Sequence, residues 1–182
     1  MKKTVLVFGL ISGAIASLMM IGTAVFADRI GFDKGAYVGY TTMLLSMLPV
    51  YFGVRSYRDN ASGGRITFGK AFAVGLGIML ISCLCYVATW EVLYFRFMPD
   101  FMDKYSAYEV QKLQASGATA AQVQAQMQQI QKSKEMYNNP LYNVAITFVE
   151  PLPVGLIVTL ISAGLLRKRE GTETVAPGVA AA

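Results

Sequence analysis

Four long apolar runs dominate the chain. They cover residues 4–27 (TVLVFGLISGAIASLMMIGTAVFA), 36–54, 71–95 and 141–166. A helix that crosses a bilayer needs roughly 20 apolar residues, so each run is long enough to span. No period-two alternation competes with this reading, and no internal repeat is evident. The polar segment at 99–138 behaves differently. Residues 100–115 read as a helix with Phe101, Tyr105, Tyr108 and Leu113 available to one side, and Ser116-Gly117 breaks it. Thr119 followed by Gln122 matches a capping box and predicts a second helix to about Tyr137. In that helix Val123, Met127 and Ile130 form a narrow apolar stripe, which closes the two helices on each other or offers a face to a partner. The pattern predicts an all-α fold: a four-transmembrane-helix bundle, residues 1–169, with a helical hairpin between spans three and four. The last segment, 170–182, has no periodic pattern and reads as a disordered tail.

The basic residues orient the spans. Lys2 and Lys3 precede the first run, and Arg55, Arg58, Arg65 and Lys70 lie between the second and third. Arg167, Lys168 and Arg169 close the fourth. On the opposite side Arg29 and Lys34 are offset by Asp28 and Asp33. Lysine and arginine concentrate on the cytoplasmic side, so both termini are expected inside and the hairpin outside, in a bacterial inner membrane. A cleaved secretory signal is the rival reading of the first run. Its apolar core would span about 7–15 residues, whereas this run exceeds that, and cleavage would leave three spans in the same orientation. The net charge of +5 does not point to nucleic acid, because the basic residues flank apolar runs instead of forming one patch on a polar domain.

Candidate chemistry is sparse. The chain has no histidine, which excludes histidine acid/base catalysis and His-ligated metals; no cofactor is implied. Cys83 and Cys85 are two apart in an apolar run and read as small buried hydrophobes. GRITFGKA at 64–71 approaches the phosphate-binding loop pattern, but alanine stands where the magnesium-binding hydroxyl belongs and no strand precedes it. Thr67 as a helix cap and Lys70 snorkelling to headgroups explain it better. Small residues at four-residue spacing mark helix packing: Gly9 and Gly13 in the first run, Gly69 and Gly77 in the third, Gly155 in the fourth. They serve the bundle itself or a homodimer.

Only Glu91 and Glu150 are acidic within apolar runs. Acids at membrane depth are costly and are functional candidates by default. Asn143, Thr147 and Glu150 fall at i, i+4 and i+7, one polar stripe beside Pro151 and Pro153. Each proline withholds a helical N–H and exposes a carbonyl; Pro49 does the same in the second run. From Lys70 to Glu91 is 21 residues, about 31 Å of helix, which places Glu91 at the outer boundary. From Arg167 back to Glu150 is 17 residues, about 25 Å, roughly one turn lower.

Several stretches together resemble one bacterial membrane family, the domain of unknown function 4199. They are GVRSYRDNASGGRITFGKAF (53–72), WEVLYFRFMPDFMDKY (90–105), KLQASGAT (112–119), KEMYNNPL (134–141) and ITFVEPLPVGLIVTLISAGLLRK (146–168). The resemblance implies four spans and an outer helical insertion between the last two. It carries no activity and no catalytic residue. The expectation is a non-catalytic interaction or envelope-support protein, in contact with lipid and with a second copy or other envelope proteins through the hairpin. The alternative is a small oligomeric carrier or channel built on Glu150 and its polar neighbours.

Overall fold

The structure is a computed structural model and describes residues 1–168; the tail expected at 170–182 lies outside the described residues. Among the described residues all regular structure is helical apart from one isolated antiparallel bridge, Ile66 to Lys168. Four helices are long and apolar enough to cross a membrane: Lys2–Val25, Ala27–Ala61, Phe68–Phe97 and Pro140–Leu166.

The first of these is α1, Lys2–Val25. The second is helical earlier and later than its apolar run suggests. It comprises α2, Ala27–Ser46, with a non-helical Gly31 (φ 69°), and α3, Leu48–Ala61. The third, α4, runs Phe68–Val92 and ends in a π-helical turn, Leu93–Phe97. Two polar helices follow, α5 (Phe101–Ala115) and α6 (Ala120–Tyr137). The fourth apolar helix is interrupted at Glu150 and Pro151 into α7, Pro140–Val149, and α8, Leu152–Leu166.

Local chemistry accounts for these boundaries. Thr67 caps α4 by accepting from the Lys70 N–H. Thr119 and Gln122 form the complete capping box of α6. Asn139 caps α7 with Pro140 in the first turn, where a missing N–H costs nothing. Gly63 and Gly64, at φ 61° and 78°, turn the chain between α3 and α4 in a conformation L side chains rarely adopt.

Side-chain register fixes the direction of each helix. Positions 5, 9, 13 and 17 of α1 face 77, 81, 85 and 89 of α4, a constant separation of 72 in the chain. The two helices therefore run parallel. Helices α7 and α8 run antiparallel to α4: Met79 packs on Gly155, Tyr86 meets Glu150 and Trp90 meets Asn143. Phe8 on Gly53 and Ser12 on Ser46 make α2 and α3 antiparallel to α1. The path is up, down, up, down. The N-terminus, the 62–67 loop and the close of α8 share one end, and α5 and α6 leave from the other.

Close approach is what packs this bundle. A Cβ on Gly9 would lie 2.7 Å from Ile81 Cβ, and one on Gly13 would lie 2.6 Å from Cys85 Cβ. Glycine lets the backbones approach, as dispersion-driven packing in lipid requires. Beneath them Met47, Val50, Val54, Ile78 and Met79 fill the centre.

One polar rung crosses this core. The break at Met47 and Pro49 sends the Val50 N–H to Met47 O, and the Ser46 carbonyl turns instead to Ser12. Ser12 Oγ lies 2.6 Å from Ser46 O and 2.9 Å from Ser82 Oγ. Ser12 Oγ is the donor toward both, and its single proton is shared between the Ser46 carbonyl and Ser82 Oγ. All three serines are buried. Ser12→Ala is expected to lower stability by about 1–2 kcal/mol, in line with buried membrane hydrogen bonds. Denaturant unfolding of the purified protein in detergent checks it, and Ser17→Ala, on the half-buried Ser17–Thr89 pair, should cost less.

Candidate functional site

The fourth apolar helix meets α4 along the polar stripe that the sequence marks. Asn143 and Thr147 are buried, at 0% and 2% exposure. Asn143 Oδ1 accepts from Trp90 Nε1 and from Thr147 Oγ1, each at 3.1 Å, and its Nδ2 donates to the Tyr137 carbonyl at 3.1 Å. One asparagine thus ties together α4, α7 and the last residue of α6. Its amide has donor and acceptor sides, so a single residue can serve an indole, a hydroxyl and a carbonyl. One turn further out, Tyr94 donates to Asn138 Oδ1 at 2.9 Å, and its ring packs edge-on against Tyr137.

Glu150 lies one turn deeper, where the helix is interrupted. Tyr86 donates to its Oε2 at 3.3 Å, while the residue as a whole remains exposed. No lysine or arginine among the described residues pairs with it. Glu91 is not part of this network. Its Oε1 is enclosed and has no hydrogen-bond partner among the described residues. Asn143, Thr147 and Glu150 therefore share one helix interface, and the two carboxylates do not join into one site.

The small residues divide in the same way. Gly9, Gly13, Gly77 and Gly155 each sit where a Cβ would come within 3 Å of Ile81, Cys85, Val5 and Met79 respectively. Gly69 does not belong with them: it is exposed and a Cβ there would meet nothing within 4 Å.

A second attachment joins α5 to the first part of α2, just after its non-helical Gly31. Phe32 packs against the rings of Phe101, Tyr105 and Tyr108 at centroid distances of 5.8, 5.7 and 5.3 Å. Tyr108 donates to Asp33, and Lys112 lies 3.9 Å from the same carboxylate. The Asp33 carboxylate accordingly holds the Tyr108 phenol above its ordinary value. Phe101 continues the aromatic cluster to Trp90, with centroids 5.3 Å apart at 87°, the edge-to-face arrangement such rings prefer. Helices α5 and α6 meet through Lys134 and Asp103 and through Ile130, which is buried. Met127, in the same stripe, remains 53% exposed beside a cleft lined with Val110, Gln114 and Gln131.

Sequence patterning finds the α5 aromatics but not their partner. Phe32 stands alone in a charged stretch at the start of α2, where periodicity gives no signal. Trp90 and Tyr94 are one turn apart and could be read as the face that α7 covers. Among the described residues no three His, Cys, Asp or Glu side chains converge as a metal site. The arrangement is thus a clamp, in which hydrogen bonds and aromatic rings fasten the polar helices to the apolar bundle.

No curated protein and no solved structure matches the chain. A sequence model of the family described as Protein of unknown function (DUF4199) matches residues 7–168, which include every helix of the clamp. The chain belongs to this family.

Proposed function

We infer that this is a multi-pass bacterial inner-membrane protein with cytoplasmic termini, working without catalysis as an interaction component of the envelope. In this reading α5 and α6 form an extracytoplasmic hairpin that partners contact. The single observation that carries it is the double attachment of α5 and α6. Phe32 and Asp33 hold one helix, and Asn143 and Tyr94 hold the end of the other. A polar segment held at both roots is presented in one orientation, as a docking element needs. The positive-inside rule supports the orientation, because the N-terminus, the 62–67 loop and the close of α8 share one end.

Site-specific photo-cross-linking tests the reading. A photoreactive residue at Gln126, beside the cleft at the tip of the two helices, is expected to capture another envelope protein or a second copy of the chain. One at exposed Leu160 should capture neither. Replacing residues 101–137 with a short linker should abolish the association. Associations that persist after that deletion, or an outer surface that captures nothing, would count against it.

The carrier reading is favoured by one feature, the enclosed and unpartnered Oε1 of Glu91. Against it, Asn143 and Thr147 are consumed in packing contacts. Proteoliposome flux that Glu91→Gln or Glu150→Gln abolishes would establish it. Absence of flux, or flux indifferent to both changes, would remove these carboxylates from any mechanism.

A further inference from the structure

We propose that the bundle end opposite α5 and α6 is a docking surface for anionic phospholipid headgroups. The alternating helix directions bring Lys2, Lys3, Arg55, Arg58, Arg65, Lys70, Arg167 and Lys168 to this end, with Asp59 the one carboxylate there among the described residues. At the other end Arg29 and Lys34 are matched by Asp28 and Asp33. Positive-inside sorting requires only that such charges lie on one side. This fold goes further and fastens several of them together.

The 62–67 loop is folded back on α3 and bridged to the end of α8. The Gly64 N–H donates to Arg58 O at 2.9 Å, and the Lys168 N–H donates to Ile66 O at 3.0 Å. Ile66 is buried as the anchor, 3% exposed. The antiparallel bridge pairs Ile66 with Lys168 and sets Thr67 opposite Arg167, so Arg65, Arg167 and Lys168 all lie within one residue of the bridged pair, and all three are exposed. Asp59 makes its ion pairs with Arg58 at 2.6 Å and Arg55 at 3.7 Å and forms none within 4.0 Å with these three. Arg65, Lys70, Arg167 and Lys168 have no ion-pair partner within 4.0 Å among the described residues. Lys70 reaches over the Tyr57 ring at 5.8 Å, a cation–π contact that holds its ammonium beside the group.

The neighbouring surface identifies the class of anion. Leu165 is 71% exposed one turn before this group and Phe68 is 41% exposed beside it. A soluble phosphate would use the charges alone. A phospholipid uses both, its phosphate on the basic group and its acyl chains on the apolar flank. Each lysine or arginine near an anionic membrane contributes about 1 kcal/mol, or about a fivefold change in association. The inference does not depend on any partner of α5 and α6.

The test is lipid selectivity at the protein surface. The full chain is reconstituted in phosphatidylcholine bilayers with traces of spin-labelled phosphatidylglycerol or spin-labelled phosphatidylcholine. Phosphatidylglycerol should be immobilised with a severalfold preference that shrinks as salt rises. In Arg65→Gln/Lys168→Gln the preference should fall to near parity. Lys70→Gln supplies a second, independent reduction, with helicity checked by circular dichroism in each variant. Arg29→Gln/Lys34→Gln, at the opposite end, should keep it. Equal immobilisation of the two lipids, or a preference that survives both inner-end variants, would overturn the proposal. Loss of the preference on adding soluble glycerol phosphate at fixed ionic strength would also overturn it, because the group would then recognise a free phosphate.

Discussion

Asn143→Leu is expected to destabilise the protein by about 2–4 kcal/mol and to loosen α6 from the membrane helices. Leucine keeps the branching of asparagine but offers no hydrogen bond. The change strands the Trp90 indole N–H and the Tyr137 carbonyl, both now held by the Asn143 amide. A buried group left unsatisfied costs about 1–3 kcal/mol, and membrane measurements average nearer 0.6 kcal/mol per hydrogen bond. Two stranded groups at about 1–2 kcal/mol each give the estimate, above the membrane average because Asn143 is fully buried. Thr147 suffers less, since its hydroxyl can return to the backbone carbonyl one turn back. Trp90 is the only tryptophan, so its emission reports the lost bond directly. Unfolding in mixed detergent should show the stability loss, and Trp90→Phe should be strongly non-additive with it. A loss below about 0.5 kcal/mol, with unchanged emission, would show that the asparagine is not the joint described here.

The second large effect is a matter of sign. In an exposed helix, Gly→Ala stabilises by about 1 kcal/mol through propensity. Gly22 and Gly164 have nothing within 4 Å of a Cβ, so alanine there should be neutral or stabilising. At Gly13 the same change should destabilise by about 1–3 kcal/mol, the range for overpacking a filled core. Its Cβ would meet Cys85 Cβ and Sγ, both at 2.6 Å, and a Cβ is fixed by its backbone and cannot rotate away. Gly155→Ala should cost less, because it meets the flexible end of Met79. Thermal unfolding of the four alanine variants in one detergent orders them. Cys85→Gly should recover part of the Gly13→Ala loss, and failure to do so would mean that α1 and α4 do not pack in this register.

How much of this was legible in the residues varies by element. Apolar run length sufficed for four membrane-length helices, and short-range cap chemistry placed the start of α4 at Thr67 and of α6 at Thr119. Pro151 marked the interruption between α7 and α8, since a missing N–H acts locally. The second apolar run, 36–54, lies inside a longer helical stretch, Ala27–Ala61, and run length alone carries no signal for the polar helix at its two ends. The polar stripe of Asn143, Thr147 and Glu150 was visible as spacing, whereas its partners Trp90, Tyr86 and Tyr137 depend on tertiary register. Ser12, Ser46 and Ser82 carried no signal at all. Single serines occur freely in apolar helices, and only the break at Pro49 gives Ser12 a carbonyl to serve. Phe32 was equally silent, since a lone aromatic in a charged stretch acquires meaning only when α5 lies over it.

Accessibility at the two ends of the bundle tests the central claim most directly. Cysteine is placed at Ala120, at the start of α6, or at Ala61, at the close of α3, both exposed, with Cys83 and Cys85 replaced by alanine. The account predicts that a membrane-impermeant maleimide labels position 120 in intact cells and reaches position 61 only after permeabilisation. Labelling at 61 in intact cells, with 120 protected until the membrane is opened, would contradict it.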